Sequence, residues 1–267
     1  MTRWERLRDR TLSVAAIRQV DRTAVEQFHI HSLVLMENAS SACARWLAER
    51  STPRATSLPE SMPATGSGNF AEVPTAARRA VILCGRGNNG GDGLAIARHL
   101  RSFDWQCEVI LLGPIEQLSS DARANWQILT ARSSCGCTVV TDAASQDEET
   151  ARLIESADVI IDAMLGTGAS GSPRAPLDRW IELANRAAAE RIAIDIPTGL
   201  DAETGSVAPR TFRADVTLSF VARKPGFRDP TAQSFLGEVN VMPIGIPVEL
   251  IDELLAQSVS TAPGGGS

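Results

Sequence analysis

Three segments of this 267-residue chain place carboxylates, amides and glycines where such groups do chemistry. The first is Gly85-Arg86-Gly87-Asn88-Asn89-Gly90-Gly91-Asp92-Gly93, directly after the apolar run 80–84. The second follows Val159-Ile160-Ile161 and reads Asp162-Ala163-Met164-Leu165-Gly166-Thr167-Gly168-Ala169-Ser170-Gly171-Ser172. The third follows Ile192-Ala193-Ile194 and reads Asp195-Ile196-Pro197-Thr198-Gly199-Leu200-Asp201. Glycines let backbone N–H groups approach a ligand, and the helix N-terminus expected behind the first segment attracts anions. A plain phosphate cradle needs neither Asn88 and Asn89 nor the Asp92 carboxylate, so this segment is expected to do more than hold a nucleotide. Asp162 and Asp195 each end an apolar run, which aims their carboxylates at the cleft the loops enclose. Taken singly, Asp92 could serve only a helix N-terminus and the other two only turns. Three such segments on one rim favour a binding and reaction site.

Several familiar chemistries do not fit. Gly85-x-Gly87-x-x-Gly90 matches the dinucleotide fingerprint, but that motif wants an acid at the tip of the next strand to hold a ribose hydroxyl. The next strand, 107–112, ends in Gly113-Pro114, and Glu116 comes later, in a turn. No Lys follows the glycines as a phosphate-binding P-loop requires, and there is no Gly-x-Ser-x-Gly elbow of the α/β-hydrolases. The three segments contain no His or Cys, which argues against zinc and against a Cys–His nucleophile. A carboxylate is left as the natural acid–base group, with Asp195 the best candidate. Gly166-Thr167-Gly168 and Ser170-Gly171-Ser172 have the character of a second anion nest, so two nests would suit a pyrophosphate ligand with another polar end. Asn89, Asp162 and Thr198 offer hard oxygen ligands of low total charge, suited to a monovalent cation or to Mg²⁺ that keeps several waters.

The elements that must position these residues alternate. Apolar runs predict strands near 79–84, 107–112, 137–140, 158–162, 191–195, 214–219 and 238–242. Helical spacing predicts helices near 90–102, 120–132, 148–156, 176–189 and 248–256. Two further helices precede them. One spans 13–28, with Ser13 as N-cap and a stripe of Val14, Ile17, Val20, Ala24 and Phe28; the other spans about 32–49. His29 and His31 fall in the turn between these two. Short apolar strands covered on both faces make this an α/β chain, a doubly wound, Rossmann-like three-layer αβα sandwich with a mostly parallel central sheet. In that architecture ligands bind at the carboxyl ends of the strands, where all three segments lie. Residues 51–76 are rich in Ser, Thr, Pro, Ala and Gly and read as a flexible insertion; 258–267 reads as a disordered tail and 1–11 as an N-terminal extension.

Composition narrows the partners. A formal net charge of −6 and an absence of tyrosine argue against nucleic-acid binding. No apolar run reaches membrane-spanning length, and the charged N-terminus has no signal-peptide core. The five cysteines are scattered and odd in number, as in reduced cytoplasmic proteins. Cys135-x-Cys137 lacks a second ligand pair and reads as strand-edge thiols.

The ordered motifs from about Leu12 to Leu250 resemble the YjeF N-terminal-domain family of NAD(P)H-hydrate epimerases. The similar stretches are Ala16-Ile17-Arg18 with Asp21, Leu35-Met36-Glu37-Asn38-Ala39, the 87–93 segment with Ala97-Arg98-His99-Leu100, the 162–168 segment, Ala193–Pro197, Thr204-Gly205, Lys224-Pro225-Gly226, Gly237-Glu238-Val239 and Ile244–Pro247. The resemblance implies one epimerase domain over 12–257, acting on NADH or NADPH hydrated at the nicotinamide ring and feeding the S form to a separate dehydratase. It implies that Asn88, Asn89, Gly90, Gly91 and Asp92, together with Gly166 to Ser172, bind the dinucleotide hydrate. Asp195 would bind the reacting end and act as acid–base, and Asn89, Asp162 and Thr198 would hold potassium. It also implies a possible homodimer, for which the small-residue helix near Ala39–Ala44 is a candidate contact. Thr198 stands where the family usually has Ser, and Ser40 where it usually has Gly, a change expected to touch only local packing. No dehydratase domain follows, so nucleotide-dependent dehydration is not expected. His99 is expected to pack or cap. The competing readings are a non-catalytic nucleotide-binding or protein-interaction module of the same fold and a conventional NAD(P) oxidoreductase.

Overall fold

The computed structural model describes residues 10–51, 77–131, 136–141, 147–169 and 171–253. Most of the expected extension, the expected insertion after Ser51, Cys135, Ser170 and the expected tail lie outside the described residues.

Seven strands form one sheet: β1 (Arg79–Cys84), β2 (Gln106–Leu112), β3 (Gly136–Val140), β4 (Val159–Ala163), β5 (Glu190–Ile194), β6 (Val216–Phe220) and β7 (Glu238–Met242). Their order is β3-β2-β1-β4-β5-β6-β7, and every pairing is parallel. The chain begins in the middle at β1, lays β2 and β3 to one side, then crosses to lay β4 to β7 on the other. That reversal opens a crevice between the ends of β1 and β4.

The helices are α1 (Val14–Glu26), α2 (Ser32–Ser51), α3 (Asn88–Arg101), α4 (Ser120–Thr130), α5 (Asp147–Glu155), α6 (Leu177–Arg186) and α7 (Pro230–Leu236). β1 shows why its sequence is apolar throughout. Ala80, Ile82 and Cys84 face a core built with α2, α3 and α4, through Leu47, Leu94, Leu100 and Leu129. Val81 and Leu83 face the opposite core, built with α5 and α6 through Ile154, Trp180 and Ile181. Both faces of the strand are therefore out of water, and alternation disappears. This is the three-layer αβα sandwich expected from the sequence.

α1 packs separately. Ile17, Val20 and Ala24 pack with Leu35, Ala39, Val221, Ile244 and Ile251. Ser13 caps it, its hydroxyl accepting from the Ala16 N–H at 3.1 Å. Phe28 does not complete the stripe: it lies beyond the helix end and is 46% exposed. The turn histidines have local roles, His29 adopting a φ of 55° and His31 accepting through Nδ1 from the Leu33 N–H.

Three expectations need correction. α3 starts at Asn88, so the Asn88–Asp92 segment is the opening of a helix rather than a free loop. Glycine's low helix propensity misleads here, because bare backbone is needed for packing: a Cβ on Gly91 would fall 2.8 Å from Met36 Sδ. α7 was not expected; it is short, with Asp229 capping the Thr231 and Ala232 N–H groups ahead of Pro230. The small-residue stretch of α2 is not a free surface, since Ala39, Ser40, Cys43 and Ala44 are all buried within the chain. Residues 248–253 are helical up to the end of the described segment. Among the described residues, no helix is long and apolar enough to cross a membrane.

Candidate active site

The loops leaving β1 and β4 meet backbone to backbone across the crevice. The Gly85 N–H donates to the Ala163 carbonyl at 3.0 Å. A Cβ on Gly85 would sit 1.9 Å from the Met164 carbonyl oxygen, so only glycine permits this approach. Beside the contact lies a cavity of about 180 Å³ whose lining includes Asn88, Asp92, Thr167 and Asp195. A second cavity of about 250 Å³ lies along the next loop, lined in part by Gly166, Ala169, Gly171 and Ser172. The two expected binding segments thus converge. Gly90 and Gly91 line neither cavity and are buried in α3, while Gly168 is exposed on the loop.

Asp195 follows β5 directly and turns sharply. Its φ is 65°, and the Ile196 N–H donates to the Ile194 carbonyl at 2.8 Å, closing a three-residue turn around it. Such turns are rare and strained, although Asp tolerates a left-handed backbone better than most residues. The end of β6 repeats the device: Val221 has φ 67°, and the Ala222 N–H donates to the Phe220 carbonyl at 2.7 Å. A β-branched residue in that region is a real outlier, costing on the order of 1–3 kcal/mol. The turn brings the chain back so that Lys224 reaches Asp195.

Lys224 is 0% exposed, and its three donors have three acceptors: Asp195 Oδ1 at 2.5 Å, Ser219 Oγ at 2.6 Å and the Phe220 carbonyl at 3.1 Å. A compact ammonium suits this cage, and a planar guanidinium would not. The reading of the sequence gave Lys224 no role, yet a signal was present. It is the only lysine in the chain, against 25 arginines. Among the described residues, the second carboxylate oxygen of Asp195 accepts only a long contact from the Thr167 N–H, 3.4 Å, which leaves it room to meet a ligand.

Asp162 behaves differently. It still belongs to β4 and pairs with Ala193 in register. Its carboxylate accepts from the Thr198 N–H and the Thr198 hydroxyl, both at 2.7 Å, and from the Met164 N–H at 3.1 Å. It is completely buried and lines neither cavity, which corrects the expectation that it faces the cleft. Burial pushes its pKa up to about 6, opposed by those hydrogen bonds. Asn89 is buried as well, and among the described residues neither its amide oxygen nor its amide nitrogen has a partner. Its carbon atoms lie close to Gly166. A buried amide left unpaired costs about 1–3 kcal/mol and points to a ligand.

Asp92 lies at the same cavity. Burial first, then the negative charge of Asp195, drives its carboxyl well above the ordinary range. The buried Ser40 hydroxyl donates to the Asp92 carboxylate at 3.3 Å and to its carbonyl at 3.2 Å. Ser40 therefore reaches a site carboxylate, which goes beyond the local packing expected of it. His99 meets Glu37 at 2.8 Å on the α2–α3 contact and lines neither cavity.

The family model for the YjeF-related protein N-terminus matches residues 32–226, which span both binding segments, Asp195 and Lys224. This chain belongs to the YjeF-related N-terminal family. Its YjeF-type relatives include the NAD(P)H-hydrate epimerase of Rhodopirellula baltica, 38% identical over 88% of this chain and 84% of that protein. The NAD(P)H-hydrate epimerase of Pirellula staleyi is 35% identical over 94% of this chain and 97% of its own length. A bifunctional NAD(P)H-hydrate repair enzyme of Pyrobaculum aerophilum is 39% identical over 86% of this chain, which spans only 40% of that longer protein. The crystal structure of yeast YNL200c shares the fold, with a TM-score of 0.70 at 20% identity over 92% of this chain and 93% of its own.

Proposed function

We propose that this chain interconverts the R and S epimers of hydrated NADH and NADPH, and so feeds the S form to a separate dehydratase. The names of the two relatives matched over most of their length support the reaction class. The bifunctional relative, in which the matched region is part of a longer repair enzyme, supports the coupling. The observation that carries the chemistry is Asp195, paired with a buried lysine on one oxygen and open to the cavity on the other.

The reacting carbon bears both a ring nitrogen and a hydroxyl. As the C–O bond breaks, the nitrogen lone pair forms a C=N bond, leaving an iminium-like ring and water. Water then adds to the other face, and the π electrons return to nitrogen. Asp195 steadies the cation and takes or gives the proton at oxygen. Lys224 holds one carboxylate oxygen in place. Asn88 and Asp92 on one side and Gly166, Thr167, Ala169, Gly171 and Ser172 on the other hold the dinucleotide. Asn89, Asp162 and Thr198 are the residues that would hold potassium, and the unpartnered amide of Asn89 fits an oxygen ligand waiting for a cation. A bound potassium ion would supply fixed positive charge behind the anion-binding segments. We place the enzyme in the cytoplasm, a setting consistent with the reduced cysteines Cys43, Cys84, Cys107 and Cys137.

The test is epimerisation of purified R-NADHX and R-NADPHX, coupled to an S-specific dehydratase in potassium buffer. Rapid consumption of the R form supports the reading. A folded protein that leaves the R form at its spontaneous rate, but still binds it, would turn the reading to a binding module.

A further inference from the structure

Epimerisation through an iminium removes a hydroxyl from one face of the ring and returns it to the other. One carboxylate fixed by a lysine serves one face well. The same cavity offers a second carboxyl that the family resemblance left without a role. Asp21 lines the cavity from α1, with Ile17 one helical turn before it and Val25 one turn after, on the same helix face. α1 is held firmly. Its apolar stripe is buried, the Val14 N–H donates to Glu203 Oε2 at 2.9 Å, and Arg18 reaches the Thr167 carbonyl at 3.4 Å. The carboxyls nearby are already engaged, Asp195 with Lys224 and Asp92 with Ser40. Among the described residues no donor is hydrogen-bonded to the Asp21 carboxyl. It is exposed, but to the cavity it lines, so an occupied cavity would cover it.

We propose that Asp21 is the second acid–base group of the epimerisation, working on the face of the ring that Asp195 does not serve. The proposal rests on the epimerase reading above. In the R-to-S direction the protonated Asp21 gives its proton to the departing hydroxyl, which leaves as water while the ring nitrogen supplies the electron pair for C=N. A water molecule then forms the new C–O bond on the other face, the C=N pair returns to nitrogen, and Asp195 takes the water's proton. Each turnover leaves Asp21 ionised and Asp195 protonated, and solvent in the open cavity resets both. The reverse reaction exchanges their parts. The local charges suit this division. The protein around Asp21 and the negative charge of Asp195 raise its pKa to about 6, with Lys224 opposing. Asp92 from α3 and Asp121 from α4 line the same cavity, Asp92 with its own carboxyl driven well above the ordinary range, while Lys224 sits against Asp195 rather than Asp21. Two carboxyls in unlike surroundings are the usual basis for separate acid and base roles.

The experiment compares wild type, Asp21→Asn and Asp21→Ala in the coupled assay from pH 5.5 to 8. Wild-type activity is established first; its absence would overturn the epimerase reading together with this proposal. Given an active wild type, the expected result is a fall in kcat of at least 100-fold in both variants with KM within about threefold, which is the range for loss of a general acid. The fall in wild-type R-to-S rate above about pH 6 should disappear. Ala is a strong helix former at this exposed position, so that variant should fold. Retention of kcat within threefold, a loss confined to KM, or an unchanged pH profile in the folded Asp21→Asn and Asp21→Ala proteins overturns the proposal.

Discussion

Asp162 and Asp195 end two similar apolar runs on adjacent parallel strands, and their surroundings make them opposites. Asp162 is closed in by its own protein, with three donors on its two oxygens and no exposure. Asp195, whose side chain is 13% exposed, is turned outward by a strained residue, fixed on one oxygen by Lys224 and left open on the other. A position one residue past the strand accounts for the difference. Inside β4 the side chain is committed to the ladder and the Thr198 loop. Just beyond β5 the backbone is free to take a positive φ and swing the carboxylate into the cavity. Carboxylates at strand ends are thus not equivalent: one organises the rim and the other meets the ligand.

The variant with the largest effect on this contrast is Asp195→Asn, which keeps the shape but removes the charge and the base. We expect kcat in the epimerisation assay to fall about 10³-fold, or about 4 kcal/mol in the barrier. The variant also strands the buried Lys224 ammonium, so its Tm should drop. Activity near wild type would end the role assigned to Asp195.

Next comes Lys224→Met. It leaves Asp195 without its partner and should cost about 3–5 kcal/mol of stability, as breaking a buried ion pair does, and lower kcat through a loosened carboxylate. The double variant Asp195→Asn, Lys224→Met separates the two effects. Stability should recover towards wild type, because both charges are gone, while activity stays lost. Calorimetry and the coupled assay on the four proteins complete the cycle. Recovery of activity in the double variant would contradict the assignment. Because Lys224 is the only lysine, ¹⁵N-lysine labelling gives a single side-chain ammonium signal, which should persist through slowed exchange in wild type and vanish in Lys224→Met.

Asp162→Asn should behave in the reverse sense. Its one remaining acceptor oxygen cannot serve the Thr198 N–H, the Thr198 hydroxyl and the Met164 N–H together. A loss of about 1–3 kcal/mol in denaturant unfolding is expected. Below its lowered midpoint, and at saturating potassium, kcat should stay within about tenfold of wild type. A 10³-fold loss of kcat in a stable Asp162→Asn protein would erase the distinction between the two aspartates.

The fold was legible because its signals are local. Seven apolar runs mark seven strands, and the alternation of strand and helix fixes the layering. The rim was legible in part, since Asp195, Asn88, Asp92, Thr167 and Gly166 do gather at the ends of β1, β4 and β5. What could not be read depends on tertiary geometry. Nothing local distinguishes Asp162 from Asp195, because the difference lies in Thr198 and Lys224, 36 and 29 residues further on. The paired strained turns at Asp195 and Val221 have no signature in residue type. Asp21 looks like one more polar residue beside an apolar stripe until α1 is seen against the cavity. Asp229-Pro230 was a readable helix start for α7, but seven residues are too few for periodicity to show.

The smallest expected effect bears on the same contrast from the α2 side. Ser40 is wholly buried, and its hydroxyl is the donor that opposes the upward drive on the Asp92 carboxyl. Ser40→Ala removes that donor while keeping a good helix former and the Cβ. Stability should change by about 1 kcal/mol, the ordinary worth of one hydrogen bond. The sign of the pH effect follows from the shift. Because the hydroxyl favours the ionised form, its loss should raise the Asp92 pKa further, which carboxyl NMR of the two proteins will show. Asp92 lies in the cavity with Asp195, so a more protonated Asp92 lessens the negative charge facing the reacting carbon, and the rate should change only a few-fold. An unchanged Asp92 titration would mean that Ser40 does no more than fill the α2–α3 contact, and the cavity's charge would then be set by α1, α3, α4 and the ends of β5 and β6.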